Sequence, residues 1–360
     1  MSTSITKNYL LELRPLDYYF FGGETTFGDG EGQNYYARTR LWPQQTSLLG
    51  VLRYVLYPDY CGKNSFSFDQ KGPYGSIESL SPLFFTKRMA NDRTHFFLSP
   101  FGKSAKPRAV RKEQATSQGR AIYSAAGISD KEYVTQQIVD KQGNTLAIQP
   151  YPGADALCQT FDKIGITKSR STSDQTDAFY KQTMAKLRDN FAFSSIVSLA
   201  AHLPDHLFPQ KGSLKQIVTF GAEKALFELR LEPSEQTFDE LFPSAIFKHD
   251  YADAGSCFLL TSDAYLLDGS LMEELDFVLT DTRSFRYINT PGGSDNVSFG
   301  RMDRGGSTSR NALTKSGKYY LLKAGSLLYG DDQKIKTALK HQAFQQIGYN
   351  HFVQLQNISA

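Results

Sequence analysis

The sequence predicts an α+β protein of two β–α–β-rich halves, and three stretches carry that reading. "YLLELRPLDYYFF" (9–21) alternates in part between apolar and polar residues, as a half-buried strand does. "SLLGVLRYVLY" (47–57) has helical spacing, and the glycine-rich loop "GGETTFGDGEG" (22–32) lies between it and the strand. Near the other end, "KYYLLKAGSLLYG" (318–330) reads as strand, tight turn, strand. "DDQKIKTALKHQAFQQIGYNHFVQL" follows as a helix, a turn at Gly348 and a last strand.

In the first half, "TRLWPQQT" leads into the helix, with Pro43 and Thr46 as lead-in residues. At about 100° per residue, Leu48, Leu49, Val51, Leu52, Val55 and Leu56 fill one apolar arc. Gly50, Arg53, Tyr54 and Tyr57 share the opposite face. Gly50 costs roughly 1 kcal/mol against alanine in a helix interior, so close approach to the backbone is expected there. "IESLSPLFFTKRM" and "RTHFFLSPF" read as two further short strands.

From about Gly102 the texture changes. Lys103, Lys106, Arg108, Arg111 and Lys112 crowd a stretch without an acid, in a polar insertion running to about Asp155. Its readings are a solvated loop, broken by short elements such as "EYVTQQIVD", or a basic arm that orders on a nucleic acid. Residues 161–187 read as a β-hairpin reaching out from the body, with a polar stretch ending in Phe179 and Tyr180. "SLKQIVTFGAEKALFELRLEP" (213–233) fits helix or strand, then a turn at Gly221 and a strand. The domains are placed at 1–200 and 213–360.

The chain has 360 residues, 40 % of them hydrophobic, which supplies a core for two domains. No run of 18 apolar residues exists, so no membrane span is expected. The first residues lack a charged segment followed by an apolar one, so no leader is expected, and the expected location is the cytoplasm. Three dispersed cysteines have no metal-ligand spacing and suit a reducing compartment. The net charge of +3 is too small to identify a polyanion partner, so its distribution matters more. The 26 Phe and 20 Tyr fit either a β-rich core or rings that stack on bases.

Catalytic and metal motifs are sought without success. No phosphate-loop lysine follows the glycines of 22–32. His202 and His206 stand four apart, but Pro204 interrupts the helix that would align them. Glu273 and Glu274 read as a charged helix face. No cofactor and no metal is expected, and a binding role leads an enzymatic one.

Four stretches in order resemble one family. Pro15, Leu16, Asp17, Phe27, Gly28, Gly30, Pro43, Leu48, Gly50, Leu52 and Arg53 are similar to the opening of the family of Cmr subunit three, from type III-B CRISPR effectors. "KIGITKSRSTSDQTDAFYK" resembles its second motif, "FGAEKALFEL" its glycine turn and strand, and "YYLLKAGSLLYG" its late alanine-glycine-serine strand. Two departures stand out. Ala222 replaces the second glycine of the third motif, and 171–180 lacks the family's glycine. Subunit four of the type III-A Csm complex begins similarly, but the late alanine-glycine-serine strand favours the Cmr relative.

The resemblance implies two ferredoxin-like (RRM-like) domains with inserted β-hairpins. It implies a non-catalytic, antiviral-defence subunit that holds the 5′ handle of the CRISPR RNA at the foot of the complex. The partners implied are the CRISPR RNA, the large polymerase-like subunit and the adjacent backbone subunit, with target RNA met indirectly. Alternatives are the handle-binding type III-A subunit and a repeat-processing endoribonuclease. The latter needs a general base near a 2′-hydroxyl, and His95 has no paired lysine motif.

The expected RNA-binding residues combine the two readings. Gly22, Gly23, Gly28 and Gly30 would turn backbone N–H groups toward phosphates. Arg53, beside Gly50 and Tyr54, offers a guanidinium next to accessible main chain. Lys168 and Arg170, followed by Phe179 and Tyr180, would form a thumb-like hairpin that grips phosphate and wedges between bases. Arg283, Arg286, Arg301, Arg304 and Arg310 would line the handle channel.

Overall fold

The structure is a computed structural model. It describes residues 7–22, 36–56, 74, 76–89, 93–98, 123–124, 134–139, 145–151, 157–167, 178–200, 212–242, 248–249, 256–266, 271–286, 288–289, 314–315 and 318–357. The chain opens with β1 (Lys7–Pro15), β2 (Tyr36–Arg38) and the helix α1 (Gln45–Val55). Next come β3 (Ile77–Leu80), β4 (Phe84–Arg88) and β5 (Arg93–Leu98). Then follow β6 (Tyr123–Ser124), β7 (Val134–Val139) and β8 (Thr145–Tyr151). Three long strands follow: β9 (Cys158–Thr167), β10 (Ala178–Leu187) and β11 (Phe191–Leu199). β12 (Leu214–Phe220) and β13 (Ala225–Pro233) complete the first sheet, whose path is β12-β13-β1-β11-β4-β5-β7-β8, with β3 also paired to β11.

The second half starts with α2 (Phe238–Leu241), β14 (Lys248–His249), β15 (Ser256–Leu260) and α3 (Leu271–Glu274). It continues through β16 (Phe277–Thr280), β17 (Thr282–Phe285), β18 (Ile288–Asn289) and β19 (Thr314–Lys315). It closes with β20 (Tyr319–Leu322), β21 (Leu327–Gly330), α4 (Asp332–Leu339), α5 (Gln342–Gln346) and β22 (Phe352–Asn357). Its sheet runs β14-β22-β15-β21-β16-β6. β2, β10 and β9 form a separate three-stranded ribbon.

The two sheets share one strand order at their centres. In the first, β13-β1-β11-β4 are all antiparallel, and α1 lies in the link from β1 to β4. In the second, β22-β15-β21-β16 are likewise antiparallel. There α3 links β15 to β16, and α4 with α5 links β21 to β22. Within residues 213–233, placed by the sequence in the C-terminal domain, β13 pairs with β1 and β12 with β13, in the first sheet. Within the expected 102–155 insertion, β7 and β8 extend that same sheet from β5.

Strand periodicity explains the layers. On β1, Leu11 and Leu13 face a core shared with α1, whereas Leu10 faces the second sheet. On β15, Cys257 and Leu259 face the first sheet, while Phe258 and Leu260 face α3 and α4. The layers therefore run α1, first sheet, second sheet, then α3 with α4. The α1 arc of Leu48, Leu49, Val51, Leu52, Val55 and Leu56 is buried as its spacing requires. Each such leucine is worth about 1.5–3 kcal/mol against exposure. That packing matters, because α1 has no side-chain cap at Gln44 and carries Gly50. An isolated helix of this length would be marginal in water.

The helix begins at Gln45, two residues before the predicted start, and ends at Val55. Among the described residues nothing lies within 4 Å of where a Gly50 Cβ would sit, so the main chain there is open. The helix face there points to open space, so the glycine is not required by packing. "KYYLLKAGSLLYG" forms two strands as predicted, but they are not paired with each other. β20 pairs with β17 and β21 with β15 and β16, so the turn between them crosses from one sheet to another.

The second half also donates residues to the first core. Phe344, Ile347 and Tyr349, between α4 and β22, join the cluster that holds α1. Gly348 makes this fit. Its φ is +88°, and a Cβ would lie 2.6 Å from the Ser81 carbonyl oxygen and 2.7 Å from Gln45 Nε2.

Candidate nucleic-acid interface

A small cleft, open to solvent, lies where this donated segment meets the start of α1. Its first wall is Trp42, Pro43, Gln44 and Gln45, the lead-in to the helix. The opposite wall carries Asp263, Arg283, Lys323, Ala324 and Tyr349. Asp263 organises that wall. One carboxylate oxygen accepts from the Ala324 N–H at 2.9 Å and the other from Arg283 Nη1 at 3.1 Å. Lys323 pairs with Asp281. Burial alone would raise the Asp281 carboxyl, but hydrogen bonds from Lys323 and the Thr282 N–H outweigh it and hold it below the usual range.

Asn350 holds Asp263 in place from behind. This fully buried amide accepts from the Tyr265 N–H and donates to the carbonyls of Tyr265 and Leu339. Its own N–H donates to the Asp263 carbonyl. Ser326, also fully buried, donates to the Lys323 carbonyl at 2.6 Å and closes the alanine-glycine-serine turn. Tyr349 OH donates to Gln44 Oε1 at 3.0 Å, tying the two walls together. Burial drives the Tyr349 hydroxyl well above its usual range, so it stays a proton donor.

A second surface lies on the ribbon. Lys181 pairs in register with Tyr36 and with Ile164, and Thr183 with Arg38 and Asp162, so these residues share one face. Lys181 Nζ stands 5.5 Å from the Tyr36 ring centroid and 2.8 Å from Asp162 Oδ2. Tyr36 and Ile164 are 46 % and 60 % exposed. Hydrogen bonds from Lys181 and Thr183 lower the Asp162 carboxyl, and the Asp162 carboxylate raises the Lys181 ammonium, so both stay charged near neutrality. The reverse face repeats the chemistry. Lys186 Nζ lies 5.7 Å from the Tyr18 ring, which tilts against Phe161 at 5.2 Å between centroids. Cations beside accessible rings are what unstacked bases and their phosphates require.

Arg40 connects the ribbon to the cleft. Its N–H donates to the Phe21 carbonyl, and its guanidinium donates to the Ser284 carbonyl at 2.9 Å, next to Arg283. The third motif joins the same network. A Cβ on Gly221, whose φ is +87°, would lie 2.8 Å from the Phe20 carbonyl oxygen. The Ala222 N–H donates to that oxygen, and Glu223 accepts from Gln182 on β10. Close backbone approach thus occurs at Gly221, despite Ala222 in the next position.

The predicted binding residues scatter more widely. Arg283 lines the cleft and Arg286 is exposed one turn of chain beyond it. Gly22 is exposed near Ala222. Tyr54 is 67 % exposed and Arg53 half-buried on α1, but about 12 Å of helix rise separates Arg53 from Gln45 at the cleft. Phe179 and Tyr180 lie on β10 opposite Ile166 and Gly165. Gly23, Gly28, Gly30, Lys168, Arg170, Arg301, Arg304 and Arg310 lie outside the described residues. Sequence reasoning missed Tyr36, Lys181, Trp42 and Lys323. The one signal available was their position beside or within the family-like stretches.

Residues 11–137 match the family CRISPR-associated protein (Cas_Cmr3). The matched stretch is about a third of the chain. A chain of the cryo-EM structure of the type III-B Cmr-beta bound to cognate target RNA is 11 % identical. The match covers 63 % of this chain and 97 % of that one at a TM-score of 0.26. No curated protein matches the chain. Among the described residues, no helix is long and apolar enough to cross a membrane, and no cluster of three ligand-type side chains is placed to hold a metal ion.

Proposed function

We propose that this chain is the non-catalytic subunit that holds the 5′ handle of the CRISPR RNA. One observation carries the reading: stretches far apart in sequence, within or near the family-like motifs, meet around the cleft and ribbon. The lead-in Trp42–Gln45, the turn at Lys323 and Ala324, and Tyr349 line the cleft. Phe20, Gly221 and Gln182 tie the remaining stretches to it through Arg40.

The strand orders β13-β1-β11-β4 and β22-β15-β21-β16 support two ferredoxin-like domains, since each is the 4-1-3-2 order of a split β–α–β unit. The second has a helical segment in both of its links. In this reading phosphates meet Arg283, Lys323 and Lys181, and bases stack on Tyr36 and Tyr18. The chain sits at the foot of the complex, beside the large polymerase-like subunit and the adjacent backbone subunit, in the cytoplasm.

A repeat-cleaving role fits less well. His95 is 4 % exposed and hydrogen-bonded to Thr86 Oγ1 at 3.0 Å, so it cannot reach a 2′-hydroxyl. Filter binding of a handle-bearing RNA tests the proposal. Tyr36→Ala combined with Lys181→Ala is expected to weaken binding about tenfold, within the ~1–3 kcal/mol of a lost base–ring stack. Unchanged affinity in that variant, or cleavage of repeat RNA by the purified chain, overturns it.

A further inference from the structure

The second sheet covers only part of the first. Leu10, Ile196, Phe84 and Phe97 are buried between the sheets, but further along the same face the rows turn polar and open. Ile217, Glu228 and Arg14 form one cross-strand row, and Lys215, Arg230 and Glu12 the next. β12 is the end strand of the sheet path.

The charges on this open area are layered. Glu228 accepts ion pairs from Arg14, Lys215 and Arg230, yet its side chain is 9 % exposed while Arg14 is 43 % and Lys215 59 %. Glu12, almost fully buried, lies beneath Arg88 in the same way. Glu232 pairs with both Arg88 and Arg93. Five cations thus meet three carboxylates, of which Glu228 and Glu12 are buried beneath them and Glu232 is about as exposed as its arginines. Beside them Leu16, Ile217 and Leu226 are each 42–51 % exposed. Among the described residues of this patch the exposed apolar groups are aliphatic, with none of the rings the ribbon displays.

We propose that this half-face docks a protein partner through an acidic segment that carries aliphatic side chains. Surplus cations select carboxylates, and their buried counter-charges fix the guanidinium positions before the partner arrives. The leucine–isoleucine corner supplies apolar area for the segment's own aliphatic groups. Recognition of unstacked bases would instead need planes, which the ribbon displays. The proposal stands apart from the RNA reading, because none of its residues belongs to the cleft or ribbon.

The test is site-specific photocrosslinking in the assembly purified from cells, with p-benzoylphenylalanine at Ile217 and, separately, at Tyr36. The expected result from position 217 is one recurrent protein segment with more Asp and Glu than Lys and Arg. Its yield falls at least fivefold when Arg14→Glu and Lys215→Glu are added. Position 36 reports RNA contact and is unaffected by those changes. RNA, a second copy of this chain, a segment without acidic excess, or no adduct at position 217 each overturns the proposal. So does an adduct indifferent to the two reversals. Arg14→Gln, which removes charge without adding any, provides a milder variant if the double reversal fails to fold.

Discussion

The cleft and the open half-face of the first sheet both set arginine against carboxylate, but to different ends. In the cleft, Arg283 and Asp263 are nearly buried together, at 19 % and 11 % side-chain exposure. The pair fixes a wall whose other members are a backbone N–H, a turn and a phenol. On the half-face the acids lie underneath and the cations outside. A buried pair is weak evidence for net stability but strong evidence for a defined geometry. A layered pair leaves charge on display. The comparison teaches that the arginine count matters less than the depth of each partner carboxylate.

Breaking the cleft should produce the largest effect. Gly348→Ala places a Cβ against Ser81 and Gln45 in a left-handed backbone conformation. It should cost on the order of 3 kcal/mol or more of unfolding free energy, read by denaturant titration. The half-face should tolerate insertion of side chains far better. Arg283→Ala leaves Asp263 short of its cation and should cost about 2 kcal/mol, discounted for partial exposure. Arg14→Ala removes one of three cations over Glu228 and should cost under about 1 kcal/mol in the same titration.

Acid sharpens the contrast, because the half-face has a titratable floor. Burial, aided by the Arg93 charge, pushes His95 down to about 3. The unfolded chain then binds a proton near 6.5 that the folded chain refuses. Stability is therefore full above about pH 6.5 and falls as pH drops toward the folded value. At pH 5 the loss should be about 2 kcal/mol. Thermal melts of His95→Gln between pH 7 and 5 should show a flatter decline. Glu228 and Glu232 act lower. Burial would raise both, but hydrogen bonds and charge from their Lys and Arg partners hold them below 4.5. Their stabilisation is present above that pH and is lost as pH falls through the lowered values. The smallest expected effect concerns function. Arg14→Glu with Lys215→Glu should leave handle-RNA affinity within about twofold, the change expected of distant rim charges, in filter binding at physiological salt.

Local patterns made much of the fold readable. The α1 arc follows from leucine and valine spacing, and the turn in "KAGS" from its glycine. Bonds between distant residues stayed hidden. Tyr36 and Thr183 are 147 residues apart, and nothing in "YYARTR" or "FYKQTM" announces that they share a face. Asn350 reads as an ordinary turn residue after Gly348, yet it anchors Tyr265 from 85 residues away and bonds Asp263 as well. Arg53 stood out on its helix, but its distance from the cleft depended on which end of α1 the second half would meet. "EYVTQQIVD" was legible as a short element, β7, but its pairing to β5 at the edge of the first sheet was not, because polar "VTQQIV" carries little apolar alternation.

The most direct test is to crosslink an RNA bearing photoreactive bases throughout its 5′ handle to the assembled complex and sequence the labelled peptides. The account predicts adducts within residues 36–45, 181–186 and 283–324 of this chain. Adducts confined to β12 and β13, or to other subunits with none here, would contradict it.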